Sequence, residues 1–323
     1  MEIRLSNPRG FCAGVRMAIE LVDEILDAMD TNEKLYVYHE IVHNFHVVER
    51  LKERGAIFVD AISEIPESSV VVFSAHGVSP EIKKQAEDRD LISIDATCPL
   101  VTKVHAEAIR YAKRGWQIIL IGHRDHQEVI GTQGEAPDAI QILEKSEGIK
   151  ELNIVDPEAL VYLTQTTLSV DDAEIIIKAL KEAFPSIHAP PNDDICYATT
   201  NRQVAVRDEA PSADLVLVVG SQNSSNSLRL NEISINAGTP SFLIDDASML
   251  EPEWFNGVEQ LLITAGASAP ERLVTEIVEH VTTQYDGHLI DDSHVDEGVS
   301  FSMPASFQQF LQNKDVTIEG DSQ

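Results

Sequence analysis

The chain reads as an α/β protein built from three similar α/β units that share a common centre, and three observations predict this. Short apolar runs rich in Val, Ile and Leu alternate with stretches of helical periodicity, the pattern of a parallel sheet flanked by helices. The order of these elements repeats at a domain-sized period around Cys12, Cys98 and Cys196, the chain's three cysteines. Each unit also places polar residues where its strands give way to helices, the end at which open parallel sheets gather ligands.

The first strand, Ile3 to Leu5, enters Asn7-Pro8-Arg9-Gly10-Phe11-Cys12, and the spacing of Val15, Ala18, Ile19, Val22, Ile25 and Leu26 predicts a helix directly after the cysteine. A strand at Lys34 to Tyr38 leads to the polar loop 39–44 with His43, and a helix to Arg54 is closed by Gly55. The short strand Ala56 to Val59 and the run Val70 to Phe73 follow, the latter entering Ser74-Ala75-His76-Gly77. A helix from near Pro80 and a strand at Leu91 to Ile94 deliver the chain to Cys98. The second unit has a helix closed by Gly115, the strand Gln117 to Ile121, a loop from Gly122 through His126 to Glu128, and the strand Ala159 to Leu163 entering Thr164-Gln165-Thr166-Thr167. Its last helix spans Val170 to Phe184, and the turn-rich Ala189-Pro190-Pro191-Asn192 marks a boundary before Cys196. The third unit has a helix after Cys196, the strand Asp214 to Val219, a loop through Ser224, Ser225 and Asn226, the strands Ser241 to Ile244 and Gln260 to Thr264, a loop with Ser268, and the helix Glu271 to Thr282. The expected units are 13–97, 98–194, and 1–12 joined to 195–283. The acidic remainder, 284–323, shows little periodicity and is expected to be a surface arm or partly disordered.

Size and composition narrow the function. At 323 residues with 43% apolar side chains, the chain can bury a large core. Its formal charge of −30 argues against a nucleic-acid surface and repels anionic membranes. No apolar run approaches the ~18–20 residues of a membrane span. Met1-Glu2-Ile3-Arg4 opens directly into a strand without the layout of a signal peptide, so the expectation is a soluble cytoplasmic protein. Three widely spaced cysteines argue against a disulfide framework.

Each cysteine is expected at a strand-to-helix junction, where a helix N-terminus favours the thiolate that binds metal. The bland alternative is that all three are small buried hydrophobes. Two ligated sites suit three thiolates: a zinc with an open fourth position, or a cubane iron–sulfur cluster left with one unligated iron. His43, His76 and His126 fall in three different strand-end loops, where a lone histidine is usually structural; together they offer a rim of neutral donors. Thr166, Thr167, Ser224, Ser225, Asn226 and Ser268 read as helix caps, and cap positions also present free backbone N–H groups to a phosphate. Neither a P-loop nor a dinucleotide fingerprint occurs. Glu128, two residues after His126, is the candidate acid, since a carboxyl near a bound anion in a dry site is held protonated.

These residues lie in stretches that closely resemble the 4-hydroxy-3-methylbut-2-enyl diphosphate reductase family, the last step of the methylerythritol phosphate route to isoprenoid precursors. The matching stretches include Asn7 to Val15, His39 to Asn44, Ser74 to Gly77, Asp95 to His105, Thr164 to Asp172, Asp193 to Gln203, Asn223 to Ser227 and Thr264 to Pro270. The resemblance implies a pseudo-threefold, trefoil-like arrangement around one oxygen-sensitive 4Fe–4S cluster on Cys12, Cys98 and Cys196, with the substrate hydroxyl on the open iron. It implies that His43, His76, His126, Ser224, Ser225, Asn226 and Ser268 hold the allylic diphosphate. Glu128 would supply protons with Thr166 assisting, and His126 belongs beside them in the catalytic group. It also implies an electron donor such as ferredoxin or flavodoxin, and both isopentenyl and dimethylallyl diphosphate as products. A non-redox iron–sulfur hydro-lyase and an iron–sulfur sensor are the alternatives. One loop departs from the family pattern: Gln127 and Ile130 stand where bacterial members carry Pro and Glu.

Overall fold

The computed structural model describes every residue except Thr31, Asp292, His294 and 321–323, and side chains are described outside 315–320. In chain order the first elements are β1 (Glu2–Leu5), α1 (Ala13–Ala28), β2 (Leu35–Tyr38), α2 (Phe45–Glu53), β3 (Ile57–Val59), β4 (Val70–Phe73), α3 (Pro80–Glu87) and β5 (Ile92–Asp95). There follow α4 (Pro99–Lys113), β6 (Gln117–Ile121), α5 (Gln127–Glu135), β7 (Ile140–Leu143), β8 (Leu160–Thr164) and α6 (Val170–Ala183). The remainder is α7 (Tyr197–Glu209), β9 (Leu215–Val219), α8 (Ser225–Asn236), β10 (Ser241–Ile244), β11 (Gln260–Ala265), α9 (Glu271–Tyr285), β12 (His288–Asp291) and α10 (Ala305–Gly320).

The strands form three parallel sheets, ordered β3-β2-β4-β5, β7-β6-β8 and β10-β9-β11-β1-β12. The first strand of the chain therefore pairs with β11 and β12, near its end. Every sheet is buried on both faces, which is why its central strands are unbroken apolar runs. In β2, Leu35 and Val37 enter one core while Tyr36 and Tyr38 enter another. Ile118 and Leu120 of β6 part from Ile119 and Ile121 in the same way, as do Leu217 and Val218 of β9. Among the described residues no helix is long and apolar enough to cross a membrane.

Two expectations are corrected here. The segment after residue 283 is not a loose arm. β12 extends the third sheet beside β1, and α10 buries Phe307 and Phe310 in the core shared by α1 and β2. The acidic stretch between them includes Asp292 and His294, which lie outside the described residues. Second, Cys196 does not follow a strand: the chain from Asn192 to Ile195 is irregular, so only Cys12 and Cys98 sit between a strand and a helix.

Candidate active site

Three helices begin at the three cysteines. Cys12 caps α1 and accepts the Val15 N–H at 3.5 Å; Cys98 precedes Pro99 of α4; Cys196 caps α7 and accepts the Thr199 N–H at 3.3 Å. Their own backbone N–H groups donate to Ala267, Ala75 and Thr166, each in a different strand-end loop. The sulfurs line one cavity together with His43, His76, His126, Glu128, Thr166, Ser224, Ser225, Asn226 and Ser268. Every candidate residue named from the sequence is thus gathered at one place. The backbone makes room for the Cys98 sulfur itself, since a Cβ on Gly14 would stand 2.6 Å from Cys98 Sγ.

Burial works against ready thiolates at two of the three cysteines. It pushes the Cys98 thiol up to about 12 and the Cys196 thiol up to about 11, outweighing the helix-end N–H groups that pull the other way. In the ligand-free chain these two are thiols, and ligation must expel their protons.

The imidazoles form a mutually packed triad. His43 and His76 stack with ring centroids 4.1 Å apart, and His126 meets both edge-on at 5.5 and 5.9 Å. Burial, with the neighbouring rings adding to it, holds His76 well below the usual histidine range and His126 down to about 3. All that reaches the cavity from those two rings is therefore neutral. His126 caps α5, where its Nδ1 accepts the Glu128 N–H at 3.2 Å, so its proton sits on Nε2. That presents a donor to a ligand without a fixed charge.

Glu128 lies in the first turn of α5, not in a loop as its neighbours suggested. It is 2% exposed, and its carboxylate accepts the Thr166 N–H at 2.6 Å and the Thr166 hydroxyl at 3.0 Å. Burial raises its pKa to about 7 against the lowering effect of those bonds. The protein alone produces this shift; no bound anion is required.

Elsewhere in the cavity, Ser224 caps α8, its hydroxyl 3.4 Å from that of Ser268, which donates to the His43 carbonyl at 2.9 Å. Ser225 donates to the Thr167 carbonyl at 3.1 Å. Asn226 is buried, and neither its amide nitrogen nor its oxygen has a partner, so the N–H donors and the acceptor of its amide are free to meet a ligand in the cavity. The sequence reading missed Thr199, whose hydroxyl lies 3.1 Å from Cys196 Sγ, and Gln165, which ties Thr167 to the 123 loop. A threonine three residues after a capping cysteine was the available signal.

Known proteins share this framework. The family described as LytB protein matches residues 3–282. The 4-hydroxy-3-methylbut-2-enyl diphosphate reductase of Rhodopirellula baltica is 51% identical over 310 residues, covering 96% of this chain and 97% of that protein. The protein of the same name from Chromohalobacter salexigens is 50% identical over 96% of this chain and 98% of its own length. The solved structure of the E-1-hydroxy-2-methyl-but-2-enyl-4-diphosphate reductase from Plasmodium falciparum superposes with a TM-score of 0.91 at 39% identity, covering 97% of this chain and 98% of that one. With the match running through all three cysteine turns and the residues that line the cavity, this chain belongs to the LytB protein family.

Proposed function

We propose that this protein reduces (E)-4-hydroxy-3-methylbut-2-enyl diphosphate, releasing the allylic hydroxyl as water and giving isopentenyl and dimethylallyl diphosphate. The carrying observation is the convergence of three helix-capping cysteines, three imidazoles, an orphaned amide and a protonatable carboxyl on one cavity. The reaction consumes two electrons and two protons for each hydroxyl lost, with ferredoxin or flavodoxin as the class of donor.

Cys12, Cys98 and Cys196 are the residues that would hold a 4Fe–4S cluster. Three sulfurs at three helix N-termini lining one cavity, with Gly14 leaving room for that of Cys98, suit it. When bound it supplies electrons and one iron without a protein ligand. His43, His76, His126, Ser224, Ser225, Asn226 and Ser268 bind the diphosphate with N–H and O–H donors at helix starts. Glu128 holds the proton for the leaving hydroxyl, and Thr166 orients that carboxyl. The reading also places 13–97, 98–194, and 1–12 with 195–283 as three units in pseudo-threefold array, which the three separate sheets support.

Protein purified without oxygen is expected to be brown, with broad absorption near ~400 nm. Supplied with a dithionite-type reductant, it should consume two electrons for each hydroxylated diphosphate. Turnover without electrons would make it a hydro-lyase, and binding without turnover a sensor; a colourless, zinc-loaded protein would defeat the redox reading. Asn226→Ala is expected to raise KM about 10- to 100-fold, the range for hydrogen bonds to a charged ligand. Thermal stability should not fall, because the amide has no partner within the protein. An unchanged KM would remove Asn226 from the diphosphate site.

A further inference from the structure

The three cysteine turns come from distant parts of the chain, and two cations reach from one cysteine's helix to another cysteine's turn. Arg202 lies on α7, the helix that Cys196 opens, and is 1% exposed. Its Nε and one terminal nitrogen donate to the Gly10 carbonyl, two residues before Cys12, at 3.2 and 2.8 Å. The fork is held from behind by Glu297, whose carboxylate oxygens lie 3.3 and 3.0 Å from the two terminal nitrogens. Lys103 lies on α4, the helix that Cys98 opens. Its ammonium donates to the Asn192 and Asp193 carbonyls at 2.9 and 2.8 Å and to the buried Asp194 carboxylate at 3.1 Å, just ahead of Cys196. The Asp194 carboxylate also accepts the Thr164 N–H at 3.0 Å, fixing the turn to the end of β8.

We infer that Arg202, with Glu297 as its counter-charge, and Lys103 are positioning residues that hold the Cys12 and Cys196 turns in register. This rests on the reading of those cysteines as ligands of one group. A charged donor suits the task because bonds from a cation to several carbonyls resist opening more than neutral ones do. The planar fork of Arg202 also fixes direction, which an ammonium at the same place does not. The acidic stretch after β12 thereby acquires a role: it delivers Glu297 to a buried cation that has no other carboxylate bound to it among the described hydrogen bonds.

The test uses the full-length chain freed of iron under nitrogen and treated with iodoacetamide, with each cysteine's modification followed by mass spectrometry. Arg202→Met should speed labelling of Cys12 about tenfold or more and leave Cys196 close to wild type, the scale on which losing charge-assisted hydrogen bonds shifts local opening. Lys103→Met should do the reverse, and Lys103→Arg should restore most of the protection. If Arg202→Met does not fold, Glu297→Gln is expected to give the same Cys12-selective pattern more weakly. Uniform acceleration of all three cysteines, or no acceleration, would overturn the assignment. The iron-loaded variants supply the second readout, faster decay of the ~400 nm band in air. Because labelling is measured without iron, a failed bracing role stays distinct from a protein that never takes up a cluster.

Discussion

Replacing Glu128 by Gln should lower kcat about 10²- to 10⁴-fold, the usual worth of a positioned proton donor, while KM changes little. The amide keeps the size of the side chain and can still accept the Thr166 N–H, which the carboxylate takes at 2.6 Å. It has no proton to transfer. The wild-type carboxyl is suited to the task because burial raises its pKa to about 7 from an ordinary 4.5. It stays protonated where other carboxyls are ionised, and a rate limited by this donor should fall as pH rises above about 7. The same shift has a sign for stability. A carboxyl whose folded pKa is raised contributes stability that is full below its unfolded value and is lost as pH climbs through the folded one. The Gln variant, measured as iron-free protein by thermal melts, should therefore gain on the wild type between about pH 4.5 and 7. Undiminished turnover would end the proton-donor assignment.

The sequence made some of this site legible and hid the rest for physical reasons. Cys12 could be placed because the long apolar spacing from Val15 to Leu26 announces a helix directly after it, although β1 before it is short and mixed in character. Strands such as β6 and β9 were visible because a parallel strand buried on both faces is an unbroken apolar run with a sharp end. The helix carrying Glu128 was invisible because α5 holds Gly131 and Gly134, residues that punctuate loops. The structure shows what they are for. A Cβ on Gly134 would stand 2.3 Å from Ser79 Cβ, and one on Gly131 would stand 3.2 Å from the Gly77 carbonyl oxygen, so both let α5 pack against the loop after His76. The helix α7 was found from Cys196, but Arg202 and Gln203 look like surface residues; their burial depends on Gly10 and Leu168, far away in sequence. In α10 the two buried aromatics, Phe307 and Phe310, stand among Gln and Ser, too sparse a stripe to announce a helix. The raised thiols of Cys98 and Cys196 were hidden for a different reason. The helix-end effect was rightly signed, but desolvation is a property of the assembled cavity and is larger.

The second large effect runs against stability. Gly14→Ala should leave a folded protein that takes up little iron and has lost its ~400 nm absorption, as Cys98→Ala should. Gly14 lies in the first turn of α1, where alanine favours the helix over glycine by up to about 1 kcal/mol. By propensity alone the variant is the more stable one. The added methyl, however, would stand 2.6 Å from Cys98 Sγ, closer than such atoms approach, and a tight 3.3 Å from its Cβ. The backbone of Cys98 has little freedom to yield, with its N–H bonded to the Ala75 carbonyl at 3.0 Å and Pro99 fixing the start of α4 behind it. The sulfur must therefore swing away from the cavity. Metal analysis and absorption report that displacement, while the melting temperature of the iron-free chain, equal to or above wild type, shows that the fold survived. A variant with its full complement of iron would mean that the close approach of α1 to Cys98 is packing alone.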